Sequence, residues 1–451
     1  MRRRPLVRAS CVRAPFTAVA ISVLIAACTS APDVSEADPT VERSPSATSS
    51  PSSSSVTTTP PQPSATDPFE ISGQRVLLGA PQGGSFHVRA VYPWSPSRCV
   101  RPYRPSLDAR YPGALSMRTA DDGTLTVTVM ISFREYLEGI AEVPPTWPKA
   151  ALEAQVIAAR SYVLSRTGWS GAEGENLENP ICATSDCQVY GGIPQPRPAG
   201  IERWYRAVRQ TQGQVLLYDD RPADTVYSST SNGRTYGNDE VFGSAPLPYL
   251  RPVVERDDGA SPLSHWRTEL PFDDLATVLR AAGSWPEGAP ISSATVGGSA
   301  IRLKGGGETR TIDASGLRDA VNTWAPCLLP RRYPSSGLPV TIPSGWFTVS
   351  SNARGLEVDG RGWGHGVGMV QWGAYGKAVR GWSASRILAF YYGGLIPQPY
   401  PEPGSMKVVV ATGVRSMIVD PSKTGATIGA QELGAGKVHI TGGDTVTVST
   451  R

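Results

Sequence analysis

The chain has 451 residues, which is enough for one large domain or two smaller ones, and 40% of them are hydrophobic. The high glycine (47) and proline (41) counts favour a β-rich fold with many turns. The 43 basic and 39 acidic residues include five arginines in residues 1–27, where there is no acid. The remainder is therefore nearly neutral and has no basic stripe of the kind that nucleic-acid binding requires.

The N-terminus has the pattern of an export signal. Its arginines precede an apolar run over residues 18–27, which is too short for a transmembrane helix. The run ends in Ile25-Ala26-Ala27-Cys28, which resembles a bacterial lipobox. That resemblance implies removal of residues 1–27 and lipidation of Cys28; the alternative is an ordinary signal peptide. In either case we expect an exported protein. If Cys28 is lipidated, we expect the protein to be anchored at the outer face of the membrane.

Residues 28–67 form a linker rich in serine, threonine and proline. Their apolar content is too low to offset the entropy lost on ordering, so we expect a disordered segment. As a flexible coil it would span on the order of 35 Å. Together with a lipid at Cys28, such a linker would let the folded part search a layer above a membrane.

Four cysteines remain when Cys11 is assigned to the signal and Cys28 to the lipid. In an exported chain they indicate two disulfides, for which three connectivities exist. Cys182 and Cys187 are close in sequence and would close a small loop. Cys99 and Cys327 would then join distant parts of the chain.

We expect the folded part to be α+β, a single large β-rich domain over residues 68–400 with a few short helices around a groove. An insertion is expected at about 255–341 and a C-terminal strand extension at 401–451. Alternating or continuous apolar runs predict strands at residues 76–78, 86–91, 125–131, 214–218, 294–296, 300–303, 408–410 and 446–448. Helices are predicted at residues 134–141, 149–166, 202–211, 272–282, 314–323 and 382–392.

Glu142 lies at a predicted break between two helices. The first helix should end near it, because a residue before proline is pushed out of the α region, and Pro148 suits the first turn of the second helix. A carboxyl group at such a break, close to Trp147, would have a raised pKa and donate a proton; the alternative is a turn-forming glutamate that faces water. We interpret Glu138, one turn earlier, as a solvated neighbour.

Two further segments carry polar groups in unusual settings. Gln155 and Arg160 interrupt the wide apolar surface of the helix at 149–166, where they either extend towards solvent or pair with a functional carboxylate. Residues 360–368 alternate glycine with other residues and lack the spacing of a phosphate loop. Such glycines would leave one strand face bare for a neighbouring backbone or a sugar ring. His365 is the single imidazole there, and alone it is usually structural.

Five blocks of the chain resemble the SpoIID/LytB family of stage II sporulation protein D and amidase enhancers. They occur in the family's order within residues 125–395. The blocks are YLEGIAEVP (136–144), WPKAALEAQVIAARSY (147–162), CQVYGG (187–192), YSSTSNGRT (227–235, followed by PYL at 248–250) and GWGHGVGMVQWGA (362–374).

The resemblance implies a peptidoglycan lytic transglycosylase in which Glu142 is the acid and base. Glu142 would protonate the oxygen between N-acetylmuramic acid and N-acetylglucosamine and then take the proton of the muramic acid C6 hydroxyl. This chemistry needs one carboxylic acid, because the substrate supplies the nucleophile. The candidate groove residues are Gln155, Arg160, Gln188, Tyr190, Ser228, Ser231, Asn232, His365 and Gln371.

The chain also departs from the family pattern. Some members carry zinc through cysteines and histidines around the third block, but no histidine lies near Cys182 and Cys187 here, and two thiols do not complete a zinc site. We therefore expect a disulfide, no metal and no cofactor. The expected partners are glycan strands, a membrane through the lipid, and a cell-wall amidase. The alternative functions are a non-catalytic peptidoglycan binder that enhances an amidase, and a structural wall-associated lipoprotein.

Overall fold

Helices and strands are mixed along the chain, and the expected α+β class is confirmed. The computed structural model describes residues 70–80, 84–91, 106–140, 142–172, 174–422, 425–434 and 436–450. The predicted signal peptide, Cys28, the linker and Cys99 lie outside these residues. No helix within them is long and apolar enough to cross a membrane.

The helices of the described residues are α1 (Phe133–Glu138), α2 (Lys149–Arg166), α3 (Ile201–Gln210), α4 (Asn238–Phe242), α5 (Phe272–Ala281), α6 (Ala314–Leu328), α7 (Gln371–Val379) and α8 (Ala384–Tyr391). The strands are β1 (Glu70–Gly73), β2 (Arg75–Leu78), β3 (Ser85–Val91), β4 (Ser106–Pro112), β5 (Ala114–Thr119), β6 (Leu125–Ser132), β7 (Ile181–Cys182), β8 (Gln214–Tyr218), β9 (Arg221–Pro222), β10 (Tyr227–Ser228), β11 (Trp266–Pro271), β12 (Ser293–Gly297), β13 (Ala300–Gly305), β14 (Glu308–Asp313), β15 (Phe347–Ser351), β16 (Gly355–Gly360), β17 (Met369–Val370), β18 (Pro397–Pro399), β19 (Ser405–Val414), β20 (Ser416–Pro421), β21 (Ala426–Ile428), β22 (Gln431–Gly434), β23 (Val438–Thr441) and β24 (Val446–Thr450).

A five-stranded sheet in the order β2-β5-β6-β19-β7 forms the centre of the main core. Strand β6 alternates buried and partly buried residues along its length, as its period-two pattern predicts. Strand β19 pairs antiparallel with β6 and parallel with β7. Residues 405–414 of the predicted C-terminal extension therefore lie inside this sheet.

A six-stranded sheet in the order β1-β24-β23-β20-β3-β4 brings the two ends of the described chain together. Strand β24 pairs with β1, and β20 pairs with β3. The last strands of the protein thus complete a sheet that begins with its first strands.

Residues 263–358 contribute to a second hydrophobic core. Helices α5 and α6 pack there with two three-stranded sheets, β11-β16-β15 and β12-β13-β14. The predicted insertion at 255–341 falls largely within this unit. Strand β16 ends at Gly360, so the unit leads directly into the glycine run at 360–368.

Helix α2 has the predicted bounds and is the most deeply buried helix of the main core. Thirteen of its eighteen residues are buried, which explains why its apolar surface is wider than one stripe. Its buried Arg160 forms an ion pair with Glu402 at 2.6 Å and donates to the Val208 and Gln214 carbonyl oxygens. These contacts fix α2 against α3 and β8.

Helix α1 ends at Glu138, so the prediction that it continues to Ala141 is wrong. Gly139 closes the last turn, and a side chain there would meet the Tyr190 ring, with Cβ 2.4 Å from a ring carbon. Ile140 then forms a bridge with Tyr190, which draws the chain out of the helical path. Glu142 therefore lies four residues beyond the helix, in the connection to α2.

A buried ion network joins α7 to the loop at 255–258. The Lys377 side chain is 1% exposed, and its Nζ donates to both Glu255 carboxylate oxygens and to Asp257 at 2.9 Å each. The Tyr391 hydroxyl of α8 also donates to Glu255. Buried charges are tolerated only when they are paired in this way.

We expect Lys377→Met to lower the free energy of unfolding by about 3–5 kcal/mol, because it leaves the buried Glu255 carboxylate without its cation, whereas Asp257 still pairs with Arg380. Lys149→Met is the matched control. Lys149 pairs with Glu153 at 3.4 Å but has a side chain that is 69% exposed, so its loss should cost less than about 1 kcal/mol. Denaturant unfolding measures both changes; equal midpoints for the two variants would contradict the assignment.

Candidate active site

The connection between α1 and α2 holds Glu142 by aromatic packing. Trp147 is 6% exposed, and its ring packs edge-on against Trp372 of α7, with centroids 4.9 Å apart. Tyr375, also on α7, lies 5.2 Å from the same ring. The Trp147 backbone N–H donates to the Pro144 carbonyl oxygen, which closes a turn in this connection. The position of Glu142 is thereby tied to α7.

The Glu142 carboxyl group is partly buried and accepts a short hydrogen bond. The Val189 backbone N–H donates to its Oε1 at 2.6 Å. Burial raises the pKa of Glu142 to about 7, and the Val189 N–H and the nearby Gln371 side chain act in the opposite direction. Gln371 Nε2 itself reaches no described partner at hydrogen-bonding geometry. A carboxyl group with this pKa both donates and accepts a proton near neutral pH.

The loop that supplies the Val189 N–H is fixed on both sides. Cys182 and Cys187 form a disulfide, and β7 is paired with β19 in the central sheet. Gln188 is fully buried; its Oε1 accepts from the Tyr136 hydroxyl at 2.7 Å and its Nε2 donates to the Ala159 carbonyl oxygen at 3.0 Å. Gln188, expected in the groove, thus connects the loop to α1 and α2.

The cysteines within the described residues are all in disulfides. Cys327 is disulfide-bonded; its predicted partner Cys99 lies outside the described residues, so that pairing stays a prediction. The thiols of Cys182 and Cys187 are used in their own disulfide. Within the described ranges there is no group of three or more His, Cys, Asp or Glu side chains that could hold a metal ion.

Three tyrosine hydroxyl groups lie near Glu142, and the same core contains buried polar atoms without a described partner. The hydroxyl groups of Tyr136, Tyr162 and Tyr227 all interact electrostatically with its carboxyl group. The Tyr227 hydroxyl and Ser228 Oγ have no hydrogen-bond partner within the described residues, and neither has the Gln155 amide on α2. These atoms therefore have hydrogen-bonding capacity that no described protein group uses.

Several other candidate residues have partners within the protein. Arg160 is engaged by Glu402, as described above. Tyr190 is buried and stacks on Tyr136, with centroids 5.4 Å apart, although its hydroxyl group has no hydrogen-bond partner among the described residues. Ser231 donates to Asp258 through both its Oγ and its backbone N–H, at 2.7 Å each. These three residues support the walls of the site.

His365 is held as a neutral ring. Its Nδ1 accepts from the Val367 N–H at 3.0 Å, and the ring also bonds to the Tyr227 backbone. Burial lowers the pKa of His365 to about 4, so the imidazole is uncharged near neutral pH. Its two hydrogen bonds hold the glycine run against the segment that contains Tyr227.

The glycine run is a loop, and the expectation of a bare strand face is wrong. The run has φ between 70° and 102° at Gly362, Gly364, Gly366 and Gly368, a backbone region that residues with a side chain rarely adopt. A Cβ at Gly368 would lie 2.0 Å from the Val226 carbonyl oxygen. The run is therefore glycine-rich because it lies against the backbone of residues 226–231.

Helix α7, which carries Gln371, was not predicted. Glycines at 373 and 376 disguise it, since glycine is unfavourable inside helices. A Cβ at Gly373 would lie 2.1 Å from the Tyr391 hydroxyl oxygen, so the helix needs glycine to pack on the ion network. The Val189 N–H was also missed, because a backbone donor has no signature in residue type.

The comparisons with known proteins agree on one family. Residues 121–218 match the sequence model of SpoIID, described as stage II sporulation protein. This segment contains Glu142, α2 and the disulfide loop, whereas Ser228, His365 and Gln371 lie beyond it.

Curated relatives match more of the chain. It is 30% identical over 292 residues to an uncharacterized protein of Brachyspira hyodysenteriae, covering 63% of this chain and 71% of that one. It is similar to the amidase enhancer of Bacillus subtilis, with 27% identity over 290 residues (56% and 38% of the two chains). It is also similar to stage II sporulation protein D of Bacillus subtilis, with 26% identity over 284 residues (58% and 74%).

The raised pKa of Glu142 predicts a pH dependence of stability. Its ordinary value is 4.5, so between pH 4.5 and about 7 the folded protein keeps a proton that the unfolded chain has lost. Stability from this group is therefore complete below pH 4.5 and is lost as the pH rises through about 7. Glu142→Gln has no such titration.

We expect the thermal midpoint of Glu142→Gln to rise relative to the wild type as the pH increases across this window. Thermal unfolding at several pH values measures the difference. Glu175→Gln, at an exposed position, should track the wild type throughout. A constant difference between Glu142→Gln and wild type would mean that the carboxyl group titrates normally.

Proposed function

The chain belongs to the SpoIID family, and on that premise we propose that it is an exported lytic transglycosylase that cleaves peptidoglycan glycan strands. The observation that carries the proposal is the Glu142 carboxyl group. It has a pKa of about 7, a fixed backbone donor, and a surrounding of polar atoms that lack partners. Such a group suits general acid and base catalysis at neutral pH.

In the proposed reaction Glu142 acts twice. Its protonated carboxyl group donates to the glycosidic oxygen between N-acetylmuramic acid and N-acetylglucosamine, and the bond from that oxygen to the muramic acid C1 breaks. The C6 hydroxyl oxygen of the same sugar bonds to C1 and closes an anhydro ring. The hydroxyl proton passes to the Glu142 carboxylate, which restores the acid form without consuming water.

A single carboxyl group suffices for this reaction, unlike the pair used in ordinary glycoside hydrolysis. Glu138 does not act as a second one in the proposal. Its carboxylate forms ion pairs with Arg134 at 3.6 Å and with Arg209 at 4.0 Å. The Val189 N–H has a distinct role, since it stabilises the ionised form of Glu142 after proton transfer.

The unsatisfied polar atoms supply contacts for the sugar. The Gln155 amide and the hydroxyl groups of Tyr227 and Ser228 match the hydroxyl and acetamide groups of an amino-sugar chain in hydrogen-bonding capacity. Gln371 lies beside the carboxyl group and would orient it. Gln155 and Ser228 are enclosed by the protein, so a glycan contacts them only after neighbouring side chains move.

Location and partners follow from the same proposal. We place the protein in the cell envelope, tethered through a lipid on Cys28 and the linker at 28–67, with the catalytic unit facing the wall. A tether of this kind restricts the search for glycan strands to a thin layer.

A second candidate is a glycan binder that enhances an amidase. It is favoured by the similarity to the amidase enhancer of Bacillus subtilis. In that case the polar atoms around Glu142 hold a glycan strand without cleaving it, and the amidase is the partner.

Digestion of peptidoglycan distinguishes the two. We expect the wild type to release anhydro-muropeptides, detected by mass spectrometry, and Glu142→Gln to lose at least about a hundredfold in rate, because the amide neither donates nor accepts the required proton. Both intact peptidoglycan and strands stripped of stem peptides are to be tested.

Glu138→Gln is the matched control and should retain most of the activity. If the wild type releases no anhydro products from either substrate yet still sediments with glycan, the binder is the correct function. Equal product release by Glu142→Gln would assign the acid to another residue.

The pH profile gives a further test. The first step needs protonated Glu142, so kcat/KM should fall as the pH rises through about 7. Gln371 holds this pKa down, and Gln371→Leu should therefore move the falling limb to higher pH. Gln398→Leu, at an exposed position, should leave the limb unchanged. A shift to lower pH in Gln371→Leu would contradict the assigned role.

A further inference from the structure

A stacked pair of aromatic rings lies beside the glycine run and has no part in the proton transfers. The Tyr236 and Trp346 ring centroids are 5.1 Å apart and their planes differ by 11°. The Arg234 guanidinium carbon lies 4.3 Å from the Tyr236 centroid. Tyr236 and Trp346 are both only partly buried.

Backbone contacts fix the position of both rings. The Tyr236 N–H donates to the Gly366 carbonyl oxygen at 2.9 Å, and the Arg361 N–H donates to the Trp346 carbonyl oxygen at 3.0 Å. Gly366 lies so close to the indole that a Cβ there would be 2.4 Å from a ring carbon. The pair is therefore built before any ligand arrives.

The environment of the pair differs from that of a core tryptophan. Trp266 is 6% exposed and its indole N–H donates to the Gly362 carbonyl oxygen at 2.9 Å. Trp346 is more exposed, and among the described residues its indole N–H has no such bond. Next to Tyr236, Asn232 donates its Nδ2 to the tyrosine hydroxyl at 2.8 Å, while its buried Oδ1 has no described partner.

The pair is also close to the catalytic group along the chain. Gly366, which touches Trp346, is five residues before Gln371, which lies beside Glu142. A chain of five residues spans at most about 17 Å. A glycan strand bound at Glu142 can therefore reach the rings within a few sugar units.

We propose that Tyr236 and Trp346, with Asn232, form a subsite that stacks an N-acetylhexosamine ring of the strand away from the cleaved bond. The Tyr236 ring is covered by Trp346 and by the Arg234 guanidinium, so the apolar C–H face of the pyranose lies on the other face of the Trp346 indole. Asn232 keeps the pair in position through its hydrogen bond to the Tyr236 hydroxyl. Aromatic surfaces with one polar group at the edge are suited to such amphipathic ligands. The proposal rests on the proposed function only in that the ligand is a glycan.

Trp346 precedes β15 and so comes from the unit with the second core, outside the segment that matches the family model. The subsite would then set the preference for strand length independently of the catalytic machinery. A substrate too short to reach the rings would bind equally well to the wild type and to the Trp346→Ala variant. Both proteins would cleave it with the same kcat.

The test uses the full-length protein carrying Glu142→Gln, so that binding is measured without cleavage. Glycan strands stripped of stem peptides and a series of chitooligosaccharides are titrated by calorimetry and by tryptophan fluorescence. We expect Trp346→Ala to weaken binding of the long strands by about tenfold and of the shortest oligosaccharides hardly at all. Trp346→Phe should retain most of the affinity.

Trp382→Ala is the matched control, since that partly buried indole is covered by the Arg386 guanidinium at 3.9 Å and lies just before α8, away from the ring pair. Asn232→Leu provides a second variant should Trp346→Ala fail to fold, and it should also weaken the long strands selectively. Unchanged affinity in a folded Trp346→Ala or Asn232→Leu protein overturns the subsite.

The two proposals fail separately. Absence of cleavage by the wild type, with strand binding still dependent on Trp346, removes the transglycosylase activity and keeps the subsite. Normal cleavage by otherwise wild-type Trp346→Ala, with an unchanged KM for long strands, removes the subsite and keeps the enzyme.

Discussion

The hydrogen bond from the Val189 N–H to the Glu142 carboxyl group joins segments 47 residues apart, and much of the main core serves to keep it in place. A partly buried carboxylate is costly unless a donor compensates it. The donor here is a backbone group, so it cannot be supplied without fixing a whole loop. The disulfide, the two bonds of Gln188 and the pairing of β7 with β19 all contribute to that fixation.

The side of the site that α7 forms depends on a buried ion network. Helix α7 brings Gln371 and Trp372 to the site, and the burial of Lys377 among two acids holds that helix to the loop at 255–258. Asp258 of the same loop accepts from Ser231. One network of paired charges thus positions residues that are far apart in sequence, which keeps the site preorganised.

Local patterns predicted much of the fold, and residue type predicted less of the site. Helix α2 and strand β8 have the expected bounds because their apolar patterns are strong. The place of β19 in the central sheet could not be predicted, because pairing over long sequence separations has no local signal. Glu142 was predicted from the break between two helices and from the ordered blocks that resemble the family. Arg160 and Gln188 were expected in the groove because they are polar. The sequence does not show which way a polar side chain faces.

The pairing of β24 with β1 also has a consequence for the order of assembly. The first strand of the folded unit cannot find its neighbour until the last residues of the chain have been made, and β6 likewise waits for β19. A chain with so many distant pairings folds late and slowly. Both sheets therefore become complete only when strands from opposite ends of the described residues have been joined.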